Sequence, residues 1–194
     1  MNKDMLLCGV GGQGTVLASK LIAAAAMAMG ETVHSAETIG MAQRGGSVTS
    51  HVRIGESGAP LIPKGEASVM LAFEPAEAVR NLSYMREDGV VIVNRIPVKP
   101  VTDSDYDGEV MIDYLKSKCK NLIVVDAEEL CKPFGSSKFF NVAILGVAVG
   151  SGSTGLDKDK IILEIERTVP ERFKEANRQA FLKGIDIGGN YGTK

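Results

Sequence analysis

Gly9-Val10-Gly11-Gly12-Gln13-Gly14 stands between an apolar run, Met5 to Cys8, and an alanine-rich run that continues to Met29. Gly9, Gly11 and Gly14 carry the G-x-G-x-x-G spacing, the turn by which a buried strand passes directly into a helix and exposes backbone N–H groups to an anion. Taken alone the spacing fits two readings. One is a phosphate loop; the other is a turn that needs glycine for positive φ and close packing and holds no ligand.

The chain downstream decides how far a dinucleotide-binding pattern extends. Gln13 to Met29, closed by Gly30, reads as a helix whose single charge is Lys20, expected to lie buried against a sheet. Thr32 to Ala36 supply the next strand and close a β-α-β unit, with Glu37 where a ribose-binding carboxylate would stand. A second crossover helix should follow. Instead Thr38 to Gly46 has paired glycines and no helical period, and Val48, Ser50, Val52 and Ile54 then alternate with Thr49, His51 and Arg53, a half-exposed strand.

The rest returns to alternating units. Ala67 to Phe73 and Gly89 to Asn94 read as buried strands, joined by a helix that Pro75 opens and that runs to about Met85. Pro97 to Asp107 is a polar connection, followed by a helix from Asp107 or Gly108 to Lys118, a strand at 121–126 and a short helix at 127–131. Phe140 to Val149 is too long for one strand and reads as a core helix. Leu156 and Ile161 bracket an N-cap at Asp157 in the manner of a hydrophobic staple, with Ile161, Ile165 and Val169 on one face. A final amphipathic helix carries Phe173, Ala176, Ala180 and Phe181 and is expected to stop at Gly184. The whole predicts a three-layer α/β/α fold with a mostly parallel, partly mixed sheet, one domain over 1–187 and a frayed tail over 188–194.

Composition narrows the function. The 194 residues carry net charge −2 and 5% aromatics with no Trp, so neither a basic nucleic-acid footprint nor a stacking platform is present. Cys8, Cys119 and Cys131 are odd in number and scattered, without a C-x-x-C, which disfavours a disulfide framework and an iron–sulfur or zinc site. No signal-peptide layout or membrane-length apolar run occurs, and a cytoplasmic location is expected. No nucleophile, base and orienter assemble: His34 falls inside a strand and His51 on the polar face of another, so no catalytic residue is assigned. Asp103, Asp105 and Asp107 read as a solvated acidic loop. Gln43-Arg44-Gly45-Gly46 sets a guanidinium beside two flexible residues, an arrangement suited to a carboxylate or phosphate held at the first glycine loop.

Together, Gly9 to Gly14, Met41-Ala42-Gln43-Arg44-Gly45-Gly46 and the strand Val48 to Ile54 resemble the gamma domain of the 2-oxoacid:ferredoxin oxidoreductases. Pro60 to Gly65, Phe73-Glu74-Pro75, Asn141 to Gly146, and Asn177 with Ala180, Phe181 and Gly184 extend the resemblance over nearly the whole chain. The Ala-Gln-Arg-Gly-Gly variant points to the indolepyruvate branch; the pyruvate and 2-oxoglutarate branches are the alternatives. The resemblance implies an assisting subunit without metal ligands of its own. A thiamine-binding alpha subunit would carry thiamine diphosphate and the iron–sulfur clusters, decarboxylate an aryl 2-oxoacid, reduce ferredoxin and release an acyl-CoA. It makes Gly9, Gly11, Gly12, Gln13 and Gly14 candidates for contact with CoA, and Glu37, Gln43, Arg44, Gly45 and Gly46 candidates for the loop that faces the partner's site. Two other readings stay open: a free-standing dinucleotide module using Gly9, Gly11, Gly14 and Glu37, and a scaffold whose glycine loops only fit a partner surface.

Overall fold

The computed structural model describes residues 1–40, 46–99 and 105–191. Its sheet has six strands: β1 (Lys3–Val10), β2 (Val33–Ile39), β3 (Ser47–Ile54), β4 (Ala67–Ala72), β5 (Met85–Asn94) and β6 (Asn121–Val125). Their order is β2-β3-β1-β4-β5-β6. The strands β1, β4, β5 and β6 are parallel neighbours, while β3 runs antiparallel to both β1 and β2. The sheet is therefore mixed, as the missing crossover helix predicts, and β3 is inserted between the two strands of the first β-α-β unit.

Among the described residues seven α-helices flank the sheet: α1 (Thr15–Ala28), α2 (Pro75–Asn81), α3 (Gly108–Lys118), α4 (Ala127–Cys131), α5 (Phe140–Gly150), α6 (Lys158–Thr168) and α7 (Glu171–Gly189). Side chains alternate across each parallel strand, and both faces are buried, which is why these strands read as continuous apolar runs. Met5 and Leu7 face a core shared with α1, α5, α6 and α7; Leu6 and Cys8 face the smaller core of α2 and α3.

Several boundaries differ from the sequence reading. Helix α1 buries Ala18, Leu21, Ile22, Ala25 and Ala26 on one face only, leaving Lys20 and Met27 exposed. Helix α2 ends at Asn81, and Met85 already belongs to β5, whose polar start, Arg86-Glu87-Asp88, is exposed. The staple is present: Asp157 accepts the Asp159 N–H at 2.8 Å between buried Leu156 and Ile161. Asp107 caps α3 by accepting the Glu109 N–H. Phe173 is exposed, with the Arg172 guanidinium over its ring. Helix α7 passes straight through Gly184 to Gly189, and Gly188 is buried inside its last turn.

His51 also departs from expectation, because the polar face of β3 is covered. Residues 55–65 fold over it, Nδ1 of His51 accepts the Ile62 N–H at 3.2 Å, and Tyr84 packs edge-on against the ring. Arg53 holds the same loop, pairing with Asp4 across the strands at 2.9 Å and donating to the Ala59 carbonyl. Burial lowers the His51 pKa below its ordinary 6.5. Since the unfolded chain takes up the proton before the folded one does, stability falls as pH drops below about 6.5, by at most about 1.4 kcal/mol per pH unit. Melting temperatures between pH 7.5 and 5 should show this slope, and His51→Gln should flatten it.

Candidate functional site

Helix α1 leaves β1 towards one face of the sheet and α2 leaves β4 towards the other, although β1 and β4 are neighbours. Divergent connections at adjacent parallel strands open a crevice at their carboxyl ends, the usual ligand position in open α/β sheets. A cleft of about 400 Å³ lies there, lined by Gly12, Gln13 and Gly14, by Asn94 at the end of β5, and by Lys138, Phe140 and Asn141 at the start of α5.

The glycine loop is built for close approach. Gly12 has φ +100° and Gly14 φ +82°, conformations that a Cβ would strain. A Cβ on Gly14 would come within 2.5 Å of Asn141 Nδ2, and one on Gly9 within 2.9 Å of the Phe73 Cβ. Gly9 thus serves packing at the end of β1 and does not line the cleft.

A chain of amides ties the strand ends together beneath the cleft. Gln13 Oε1 accepts the Val10 N–H at 2.8 Å, and its Nε2 donates to the Phe73 carbonyl at 3.0 Å. That same carbonyl accepts from Asn94 Nδ2, which also donates to the Ile96 carbonyl, while Asn94 Oδ1 accepts the N–H groups of Ile96 and Ala127. Both side-chain amides are therefore occupied in holding β1, β4, β5 and α4 in place. The sequence reading placed Gln13 among the ligand contacts, but its amide groups are directed to backbone.

The two glycine motifs meet, since the Gly11 N–H donates to the Gly46 carbonyl at 2.9 Å. Gln43, Arg44 and Gly45 lie outside the described residues. Glu37 does not join them: it lies on the edge strand β2, two strands from β1, and accepts from Ser19 Oγ at 3.1 Å. Glu37 is not among the residues that line the cleft.

On the α2 side the Glu74 and Glu77 carboxylates are buried. Glu74 caps α2 through the Glu77 N–H and accepts the Tyr106 hydroxyl; Glu77 accepts Ser47 Oγ at 2.6 Å. Desolvation, then the hydrogen bond to Glu74, pushes the Tyr106 hydroxyl far above its ordinary range. Burial, with Glu77 and Glu74 adding, likewise raises the Cys8 thiol well above 9.0, and burial alone raises Cys131 to about 11. These thiols are held protonated. Among the described residues no group of three or more His, Cys, Asp or Glu side chains could hold a metal ion, and no helix is long and apolar enough to cross a membrane.

Asn94, Lys138 and Asn141 escaped the sequence-level site assignment. Each is a single polar letter at the end of an apolar run or in a loop, and only the fold shows that three distant positions share one cleft.

These features define a three-layer α/β chain with a donor-rich cleft at the switch point of its sheet. The sequence pattern of the pyruvate ferredoxin/flavodoxin oxidoreductase family matches residues 4–187, and the chain belongs to that family. Indolepyruvate oxidoreductase subunit IorB of Archaeoglobus fulgidus is 38% identical over 195 residues, covering 98% of this chain and 95% of that relative. The IorB subunit of Methanothermobacter thermautotrophicus is 35% identical over 190 residues, covering 95% of this chain and 97% of that relative. The crystal structure of the keto/oxoacid ferredoxin oxidoreductase gamma subunit from Geobacter sulfurreducens shares the fold, with TM-score 0.73 at 23% identity over 97% of this chain and 99% of that one.

Proposed function

We propose that the chain is the beta subunit of an indolepyruvate-type, aryl 2-oxoacid:ferredoxin oxidoreductase, and that its cleft holds part of CoA at an active site completed by a thiamine-binding alpha subunit. The observation that carries this is the cleft itself. Its walls present N–H and ammonium donors, and among its described lining residues no nucleophile is paired with a base. Such a surface binds and orients; it does not by itself break a carbon–carbon bond. Near-full-length similarity to indolepyruvate oxidoreductase subunits supports the branch.

In this reading thiamine diphosphate on the partner supplies the decarboxylation chemistry and the partner's iron–sulfur clusters pass electrons to ferredoxin. The cysteines of this chain do not fit a cluster, since Cys8 and Cys131 are buried and protonated. Its own residues contribute differently. The glycine loop admits a ligand close to the backbone, the Gln13 and Asn94 amides keep the strand ends fixed, and Gly46 is tied to the glycine loop through the Gly11 N–H. Gln43, Arg44 and Gly45 are proposed, with Gly46, to serve the loop that faces the partner's site.

Co-expression with the thiamine-binding chain tests the assignment. The purified complex should reduce ferredoxin with indolepyruvate and CoA, whereas either chain alone should not. A lone chain active in this assay, or no complex with any such partner, would refute it. Calorimetry with NAD on the isolated chain should show no tight binding, because β3 stands where a dinucleotide fold places its second crossover and Glu37 lies away from the cleft.

A further inference from the structure

The free edge of the sheet at β2 is shaped for a second strand. Which of its backbone groups face outwards follows from two bonds: the Gly40 N–H donates to the Ser47 carbonyl and the Gly55 N–H to the Thr32 carbonyl, each at 2.8 Å. Both continue the antiparallel register of β2 with β3 by one residue, one at either end. In such a ladder the N–H and C=O of one residue point to the same side, and successive residues alternate. Thr32, His34, Ala36, Thr38 and Gly40 are thus directed to β3. Val33, Ser35, Glu37 and Ile39 present their N–H and C=O groups to the other side, where β2 has no neighbouring strand among the described residues.

Nothing within β2 blunts that edge. Exposed edges are commonly protected by lysine, proline, a bulge or a very short strand; β2 has seven residues, none of them lysine or proline, in unbroken register with β3. Ile39 is 63% exposed on it. The strand is also self-complementary. Two copies related by a two-fold axis normal to the sheet place outward residues opposite outward residues. Centring the axis on Ala36 sets Val33 against Ile39 of the second copy and Ser35 against its Glu37, so that all four outward residues pair, with about eight backbone hydrogen bonds. Directly opposed side chains lie on one face, which puts the exposed isoleucine against a valine and each carboxylate beside a hydroxyl. Centring on Glu37 would oppose two carboxylates, and centring on Ser35 would leave Ile39 unpaired.

We infer that β2 pairs with β2 of a second copy of this chain, antiparallel and centred on Ala36, joining two six-stranded sheets into one. Strand β2 runs in the same direction as β1, since β3 is antiparallel to both. The two-fold axis therefore turns the second copy's cleft to the opposite edge of the joined sheet, and each cleft stays open to whatever completes it. The pairing does not depend on what the cleft holds.

Sedimentation of the full chain over a dilution series should show a dimer that dissociates to monomer. Ser35→Lys sets an ammonium against Glu37 of the second copy and should tighten the dimer, whereas Ser35→Glu opposes two carboxylates on either side of the axis and should weaken it severalfold. Ser35 is exposed, so neither change enters the core. Cross-linking reads the register. Ala36→Cys meets its own copy across a non-hydrogen-bonded pair, with Cα atoms about 4.5 Å apart, and should form a disulfide-linked dimer under mild oxidation. Thr38→Cys stands out of step, about 14 Å from its copy, and should give no more cross-linked product than the parent with its native cysteines. Circular dichroism shows that each variant is folded. A chain that sediments as a monomer throughout, or a dimer equally stable in both charge variants, overturns the pairing, as does cross-linking of Ala36→Cys no greater than that of Thr38→Cys. Protection of the Ser35 and Glu37 amides from hydrogen exchange only in the co-expressed complex, with the lone chain monomeric, would likewise overturn it and give the edge to a strand of the thiamine-binding chain.

Discussion

Replacing Gly184 with alanine is expected to lower stability by about 3 kcal/mol, near the upper end for an overpacked contact. Helices α5 and α7 each carry a glycine pair four residues apart, Gly146 with Gly150 and Gly184 with Gly188. All four face the other helix. A Cβ on Gly184 would stand 2.0 Å from the Ala143 carbonyl oxygen, one on Gly146 2.1 Å from that of Phe181, and one on Gly188 2.2 Å from that of Val147. The obstructing atoms are backbone, which no rotamer change can move aside. An interior glycine such as Gly146 or Gly184 costs roughly 1 kcal/mol in helix propensity relative to alanine, so the chain retains them against a local penalty because the two backbones touch.

The alanine at Gly184 would recover that propensity only by forcing the helices apart, and the nine buried residues from Phe140 to Ala148 depend on their separation. At roughly 2–4 °C per kcal/mol for a chain of this size, the melting temperature should fall by on the order of 10 °C. Gly189→Ala is the control: a Cβ there meets nothing within 4 Å, and the melting temperature should hold or rise. An unchanged melting temperature for Gly184→Ala would show that the close contact contributes nothing.

This contact also shows what the sequence conceals. Gly184 looks like a helix stop because glycine most often ends helices by adopting positive φ, and the same letter serves positions that need no side chain at all. Gly12 and Gly14 are of the first kind and Gly184 and Gly146 of the second; only a second helix at contact distance distinguishes them. The strands were legible where burial on both faces made an apolar run, as in β4, and where β3 alternated. The polar start of β5 was not, because Arg86, Glu87 and Asp88 project to solvent while their backbone continues the strand. His51 was misplaced for the same reason in reverse, since the alternation of β3 does not show that the loop following it at 55–65 folds back over the polar face. The cleft was half legible: the glycines announced it, but the residues opposite them come from 94 to 141.

Asn94→Leu should be comparably destabilising, through unsatisfied polar groups and not through steric conflict. Asn94 is 4% exposed, and its one amide serves four backbone groups: the carbonyls of Phe73 and Ile96 and the N–H groups of Ile96 and Ala127. Leucine fills similar space and serves none. Phe73 keeps the Gln13 bond, but three backbone groups lose this partner, for a cost on the order of 3 kcal/mol. Asn94→Asp separates the donors from the acceptors. Aspartate still accepts both N–H groups, yet ionised it turns an oxygen towards the two carbonyls that Nδ2 bonded, and protonated it can donate to one of them. The folded state therefore holds the proton more tightly than the unfolded one, so the carboxyl pKa is raised on folding. Its stabilising contribution is present at low pH and lost as pH rises through the folded pKa. The deficit of Asn94→Asp relative to the parent should narrow as pH falls from 7 towards 4, measured by denaturant unfolding, whereas that of Asn94→Leu should have no corresponding pH dependence. Parallel behaviour of the two variants would mean that the amide's donors do not matter to the frame of the cleft.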